Sequence, residues 1–517
     1  SAPLAERFVP GNWRLIWRDS KLTTSFRFQF LLRRFPAWAM LALAACSGLP
    51  QRPAEPALMT PAALSDDHAL TDGQDGATQE WPGAGWWRSL ADPQLDALVG
   101  QALQQSPSLA QARARLDQAL AATGIARSAL LPQAALAGKL SYERFTELQF
   151  IPPPYGGNRF WNNEAMLQAS LDLDVWGRHH ESLAAARDIS RMVAAEADEA
   201  REVLLATLAH SYVQLALQQA LSQLLRDTLA AEQDIVGLAR QRLHAGLGTE
   251  LDLARAESRL PSTQAELDEV DGAMAVTRLQ LVALTGQGPE AASRLQAPVL
   301  ALTRQLPVPE SLPARWLGRR PDVRARRWQV EALSHEVEAA RRAFYPDVNL
   351  SAFAGHVALG LDNIFTRAST SYGIAPAISL PLFEGGRLQA GLDTRLAQRE
   401  AAVASYNETL LKAAQQVVGL SSTLKSLNAQ ATSAAQAVTL ASRADALARR
   451  GLHAGLSDQA QVLDTELSLL AERRRLLQVR ARWLDAYIEL ARATGAEHDD
   501  SIAPGRTEYR PWTARPQ

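Results

Sequence analysis

The stretch LHAGLGTELDLARAESRL begins at Leu243, and LHAGLSDQAQVLDTELSLL begins at Leu452. The shared pentapeptide recurs after 209 residues, and the interval holds far beyond it. Gly177-Arg178 falls on Gly386-Arg387 and Thr285-Gly286 falls on Thr494-Gly495 at that same offset, without a gap between them. Upstream, SPSLAQARARLDQALAATGIARSALLP ending at Pro132 matches RPDVRARRWQVEALSHEVEAARRAFYP ending at Pro346, now at an offset of 214. A length change in the loops between Pro132 and Gly177 accounts for the difference. The chain is therefore a tandem duplication. Its expected divisions are an N-terminal extension with signal peptide (1–45), a linker (46–80), a first repeat (81–286), a proline-rich segment (287–312), a second repeat (313–495) and a tail (496–517).

Within each copy the hydrophobic period changes in a fixed order. QAALAGKLSYERF, a loop containing IPPPYGGN, and NEAMLQASLDLDVWG follow the opening helix. In the last of these, Leu167, Ala169, Leu171, Leu173 and Val175 recur at every second position, which predicts a strand with one apolar face. DVNLSAFAGHVAL and YGIAPAISLPLF repeat the pattern in the second copy. Each copy thus supplies a pair of strands of about ten residues, long enough to cross a hydrocarbon core when tilted. The period then becomes helical. No glycine or proline occurs from Arg178 to Val236, and Leu217, Leu221, Leu224 and Leu225 form an apolar stripe. An unbroken helix from Gly177 to Leu243 would be about 100 Å long.

The pentapeptide ends this outgoing helix and starts a return helix, so it is a hairpin tip. Gly246 and Gly455 can take the left-handed conformation that ends a helix, and Thr249 or Ser457 can cap the next one. Thr249 with Asp252 fits a capping box. Pro261 in the first return helix faces Leu470 at the matching position, and a kink or break is expected at the proline.

Composition narrows the function classes. With 53 basic and 55 acidic residues, no global field favours a nucleic-acid partner. The single cysteine, Cys46, excludes an internal disulfide, a thiolate-rich zinc site and an iron–sulfur cluster. Arg33 and Arg34 precede the apolar run FPAWAMLALAA, which has the length of a signal-peptide core and is too short to span a bilayer as a helix. Its end, Leu43-Ala44-Ala45-Cys46, resembles the bacterial lipobox. That resemblance implies diacylglycerol and fatty acyl groups on Cys46, no other cofactor, and, with Ser47 following, the outer membrane. Residues up to about 30 fit no signal peptide and are set aside.

From WWRSLADPQLDALVGQALQQ to Gly495, the whole arrangement resembles the TolC-like outer membrane efflux proteins, in the lipoprotein branch serving RND-type multidrug pumps. The residues that carry the resemblance are Trp86-Trp87, Asp92-Pro93, LDLDVWGR, LPLFEGGR and the two tips. It implies a mostly helical mixed α/β fold in which three protomers each give four membrane strands to one twelve-stranded barrel. Four strands alone would leave open edges in lipid. The helical hairpins then form an α-helical barrel in the periplasm. Implied partners are two further copies of the chain, a periplasmic adaptor, an inner-membrane RND-type pump and outer membrane lipid. The implied activity is passive export of drugs or other small toxic compounds.

By the same resemblance, the tips at Leu243, His244, Gly246 and Leu247 and at Leu452, His453, Gly455, Leu456 and Ser457 dock the adaptor and close the pore. Asp464 matches the family's pore-facing aspartate, which three-fold symmetry would make a ring of carboxylates attracting cations. Ala460 stands one turn earlier, where relatives often carry a bulkier residue. Asp252 is taken as the matching acid of the first copy, and both gating and a solvated helix face stay open for it. Leu243 and Leu452 replace a common aromatic, so a tyrosine latch is absent there. Phe160, Trp161 and Phe365 fit an aromatic girdle or loop packing equally well.

An enzyme reading fails. GLGTEL lacks the third glycine of a dinucleotide fingerprint, and His180-Glu181 and His335-Glu336 are followed by Ala184 and Ala339 where a zinc motif needs its second histidine. His244 and His453 are read as helix-end histidines rather than metal ligands. Two other readings remain beside efflux: a lipid-anchored periplasmic coiled-coil scaffold, and an outlet for protein secretion.

Overall fold

The glycine- and proline-free run after Gly177 does form one unbroken helix, Arg178–His244, and its counterpart in the second copy is Arg387–His453, each 67 residues long. The structure is a computed structural model that describes residues 57–65, 70–71, 83, 85–148, 152–303, 306–309 and 311–495. Cys46, the signal segment and the tail after 495 lie outside the described residues.

In chain order the main elements are α1 (Pro93–Gln105), α2 (Pro107–Ser128), β1 (Gln133–Arg144), β2 (Arg159–Asp172), α3 (Arg178–His244) and α4 (Glu250–Leu284). The second copy gives α5 (Pro321–Arg342), β3 (Asp347–Leu359), β4 (Thr370–Ser379), α6 (Arg387–His453) and α7 (Gln459–Ala493). A short parallel ladder pairs Leu70 with Leu312, bringing the N-terminal segment to the inter-repeat segment. Nearby, Met59 N donates to Asn407 Oδ1 at 2.9 Å, fastening the same segment to α6.

The two strand pairs join in one antiparallel sheet of order β1-β2-β3-β4. Its register gathers most large aliphatic side chains on one face, although Met166, Phe353 and Val357 fall on the other and Asn163 and His356 fall among the aliphatic ones. Leu136, Leu140, Leu167, Leu350, Ile374 and Ile378 share one face, while Gln133, Lys139, Glu164, Gln168, Asn349 and Ser351 share the other. The apolar face is bare within the protomer, with Leu136 and Tyr372 each 80% exposed. β1 and β4 are the sheet edges.

β2 stops earlier than the alternation suggested. Leu173 and Val175 continue the apolar pattern but follow the strand's end at Asp172. Asp172 Oδ1 accepts from Asp174 N at 2.9 Å, a local turn that competes with the ladder. The Asp174 carboxylate then accepts from the His179 and His180 amides at 2.9 Å each, opening α3.

Each long helix is matched by two shorter ones set end to end. α4 ends at Thr285-Gly286, where Gly286 has φ +76° and a Cβ would lie 2.5 Å from Gln105 O and 3.5 Å from Pro107 Cδ, where α1 gives way to α2. α7 ends against the start of α5, where Arg320 Nη1 donates to Ala493 O at 3.0 Å. The main buried core lies around these two joints, with Trp86, Leu95, Leu208, Tyr212, Leu410 and Leu484 among its members. The expected leucine stripe is only a partial guide, since Leu217, Leu221 and Leu224 are half-buried and Leu225 alone is buried. The deeper contacts fall one to three turns earlier, where α3 meets the joint.

The break expected at Pro261 does not occur, because α4 runs from Glu250 to Leu284 with the proline inside it. Proline removes one backbone donor there. Arg240 of α3 pairs with Glu257 at 2.7 Å, one turn before the proline, on the exposed surface.

Candidate functional site

The two tips are built alike from backbone upward. Gly246 N donates to Leu243 O at 3.0 Å and Leu247 N to Arg242 O at 2.8 Å, which is the paired closure of a Schellman motif. Gly455 N to Leu452 O at 3.1 Å and Leu456 N to Gly451 O at 2.8 Å repeat it. Gly246 and Gly455 both have φ +71°, a left-handed backbone that a side chain would strain. Leu247 and Leu456 project from the tips at 78% and 85% exposure, and His244 and His453 are exposed beside them. Leu243 and Leu452 are half-buried under the turn.

The caps that follow are not alike. Thr249 and Asp252 form the expected capping box, with Asp252 N to Thr249 Oγ1 at 3.2 Å and Thr249 N to Asp252 Oδ2 at 3.1 Å. The Thr249 hydroxyl and amide hold the Asp252 carboxyl below its ordinary pKa. In the second copy Asp458, not Ser457, caps α7, accepting from Gln461 N at 2.9 Å. Ser457 turns back instead, and its hydroxyl donates to Ala448 O at 2.8 Å. An aspartate is the stronger acceptor at a helix N-terminus, and it leaves the serine free to close the preceding turn. Asp458 also lies 3.4 Å from Arg242, an ion pair between the two tips.

Asp464 is exposed on α7, and Ala460, half-buried, precedes it by one turn on the same side. Among the described residues no side chain bonds its carboxylate. Asp252 is not its counterpart. The return helices superpose Glu250 on Gln459, which places Asp252 over Gln461 and Arg255 over Asp464. With its carboxylate committed to the cap, Asp252 is accounted for structurally.

At the far end of the molecule, Trp161 and Tyr142 are partners in the register and their rings meet at 5.3 Å on the apolar face of the sheet. Phe160 points to the opposite face and packs on Tyr155 of the loop at 5.2 Å, so its role is loop packing. Phe365 is exposed and meets His356 at 5.7 Å. Near the sheet–helix junction the two His-Glu dipeptides meet each other, His335 Nδ1 lying 2.6 Å from Glu181 Oε2. Among the described residues no set of three metal-ligating side chains converges, and no helix is long and apolar enough to cross a membrane.

Sequence reasoning missed a polar cluster between α3 and α7. His210 of α3 lies 2.8 Å from Asp485 and 2.9 Å from Glu489, both on α7, and Arg492 is 2.9 Å from Glu489. Burial pulls the imidazole pKa down, but hydrogen bonds to the two carboxylates outweigh it and push it up to about 9. The hydrogen bond from His210, helped by Arg492, holds Glu489 down to about 2. A lone histidine 275 residues from its first partner gives no local signal.

Comparisons with known proteins agree with this geometry. The family described as outer membrane efflux protein matches residues 98–287 and 312–496. Fusaric acid resistance protein FusA of Burkholderia cepacia is 37% identical over 317 residues, 60% of this chain and 59% of that protein, so the match spans under two thirds of its length. The multidrug resistance outer membrane protein MdtP of Escherichia coli K12 is 31% identical over 444 residues, 84% of this chain and 89% of that protein. The crystal structure of outer membrane protein VceC from Vibrio cholerae superposes with a TM-score of 0.73 at 33% identity, covering 80% of this chain and 99% of that one. The CmeC outer membrane channel of Campylobacter jejuni shares the fold, with a TM-score of 0.77 at 18% identity over 88% and 96% of the two chains. The duplicated hairpins, the two-faced sheet and these likenesses converge on one assignment: the chain belongs to the outer membrane efflux protein family and is an outer membrane efflux channel.

Proposed function

We propose that this protein is the passive outlet of a tripartite system, a homotrimer that conducts drugs or other small toxic compounds from the periplasm to the exterior. The carrying observation is a four-stranded sheet with one bare apolar face, one polar face and two unpaired edges, continuous with helices of 67 residues. Open edges are not stable in lipid, and a closed barrel of three such sheets removes them. The polar face then lines the lumen and the apolar face meets lipid. A periplasmic adaptor docks on the hairpin tips, an inner-membrane RND-type pump supplies the energy, and the chain itself performs no catalysis. Asp464, with Ala460 a turn away, faces the closed pore. Cys46 carries the diacylglycerol and fatty acyl groups of the anchor, and each buried methylene of such chains contributes about 0.8 kcal/mol of membrane affinity.

Native mass spectrometry of protein extracted from membranes in detergent tests the assembly and the anchor together. The expected species is a trimer whose subunits begin at Cys46 and carry the added lipid mass. A stable monomer would overturn the closed barrel and favour the periplasmic scaffold, whose loop at Pro152 to Gly157 would be protected in intact cells from chymotrypsin, which can cut at Tyr155. Deletion should raise drug susceptibility and leave the secreted proteins unchanged; the reverse pattern would favour a protein-secretion outlet.

A further inference from the structure

The outer end of the first strand pair holds a charge arrangement that sheet chemistry disfavours. Arg144 of β1 and Arg159 of β2 are direct partners in the register, and both are exposed. Directly opposed residues of an antiparallel pair point to the same face, where like charges repel. Along β1, Arg144 continues the face of Leu136, Leu140 and Tyr142, and along β2, Arg159 follows Trp161 on that same face. The two guanidiniums therefore top the bare apolar face, one row beyond the Tyr142–Trp161 ring pair.

Nearby acids do not balance them. The Glu143 carboxylate lies on the opposite face, where it accepts from Asn162 Nδ2 at 2.6 Å. Glu147 Oε1 is 3.6 Å from Arg144 Nη2, a loose pair in which both side chains are more than half exposed. Arg144 Nε donates to Gly157 O at 2.9 Å, which holds that side chain at the strand's end. Among the described residues no acid pairs with Arg159, and β3 ends at Leu359, opposite Asn162, so no strand flanks Arg159 on that side. Strand geometry sets the height of the pair. From Ala134, the first residue of β1 on the apolar face, to Arg144 the strand runs about 34 Å. A tilt of about 40° leaves roughly 26 Å along the membrane normal, against an apolar band about 25 Å tall in barrels that cross the outer membrane.

We propose that Arg144 and Arg159 together bind the phosphate of a lipid headgroup in the outer leaflet, one site on the lipid-facing surface of each protomer. The inference rests on the reading above, in which the apolar face meets lipid and the strand ends remote from the helices reach the exterior. Each guanidinium presents parallel N–H donors that match phosphate oxygens, so an anion between the two arginines replaces their repulsion by two charge-assisted contacts. The Tyr142 and Trp161 rings below them suit the boundary where headgroup meets acyl chain. Headgroups held at one height around the barrel fix how deeply it sits in the membrane.

Native mass spectrometry of detergent-extracted trimers with added lipid A, a phosphorylated glycolipid, tests the site. The wild type is expected to take up to one lipid A per subunit, and to take phosphatase-treated lipid A about tenfold more weakly. Arg144→Gln/Arg159→Gln should lose about tenfold in lipid A affinity while remaining trimeric. Equal uptake by this variant, or equal uptake of the phosphate-free lipid, would overturn the proposal. Inorganic phosphate at the same concentration should not displace lipid A; displacement would show that the site takes the free anion and would overturn the lipid assignment. Arg159→Glu gives a second reading if the double variant does not assemble. It can pair with Arg144 across the strands, so it should raise the melting temperature of lipid-free trimers and still lose lipid A, whereas undiminished uptake would again overturn the site. Wild-type trimers that take no lipid A would overturn this site alone, whereas a monomeric wild type would overturn the closed barrel.

Discussion

At the residue scale, two aspartates of the return helices separate by what each carboxylate touches. Asp252 is bonded by the Thr249 hydroxyl and amide, whereas Asp464 is exposed on its helix with no such partner among the described residues. Asp464→Asn is therefore expected to weaken cation selectivity in planar bilayers and leave the melting temperature unchanged. Asp252→Asn should do the opposite, lowering the melting temperature and sparing selectivity. Equal effects of the two would remove Asp464 from the gate. The tip glycines act through the backbone. Gly246→Val or Gly455→Val forces a branched side chain to φ +71°, which costs about 1–2 kcal/mol, and should reduce efflux more than protein abundance in membranes. The glycines were legible in the sequence because only a special turn calls for them between two long helical runs. Asp458 as the second cap was not, because Ser457 and Asp458 are adjacent and both can cap a helix.

At the element scale, the polar cluster between α3 and α7 gives a pH dependence with a definite sign. His210 titrates near 6.5 when unfolded and at about 9 when folded, so its contribution is complete below pH 6.5 and is lost as pH rises toward about 9. Glu489 acts in the other direction: its contribution is present above its ordinary value of 4.5 and is lost as pH falls through about 2. Thermal melts of the wild type should therefore decline from pH 7 to 9, and His210→Gln should flatten that decline. A variant that keeps the full slope would place the titration elsewhere. Pro261 offers a second element-scale test. α4 continues through it with one backbone donor missing, so Pro261→Leu, which installs the residue of the second copy, should stabilise the helix by about 1–3 kcal/mol. An unchanged or lower melting temperature would mean that the surrounding packing is shaped around the proline.

At the scale of the whole molecule, stability is concentrated where the end-to-end helix pairs meet the 67-residue helices. Leu484 and Leu208 are fully buried at that level, and either truncation to Ala should cost about 2–5 kcal/mol in chemical denaturation, while truncation of the exposed Leu440 should cost little. The order of elements, the strand pairs, the helix lengths and the tips could all be read from the sequence. Periodicity and turn residues are local properties, and the duplication wrote each of them twice. Tertiary structure decided the rest: where β2 stops, that α4 survives its proline, which helix pairs touch, and that His210 finds two acids on α7. Those outcomes depend on side chains far apart in sequence, whose energies appear only when packing brings them within hydrogen-bond distance.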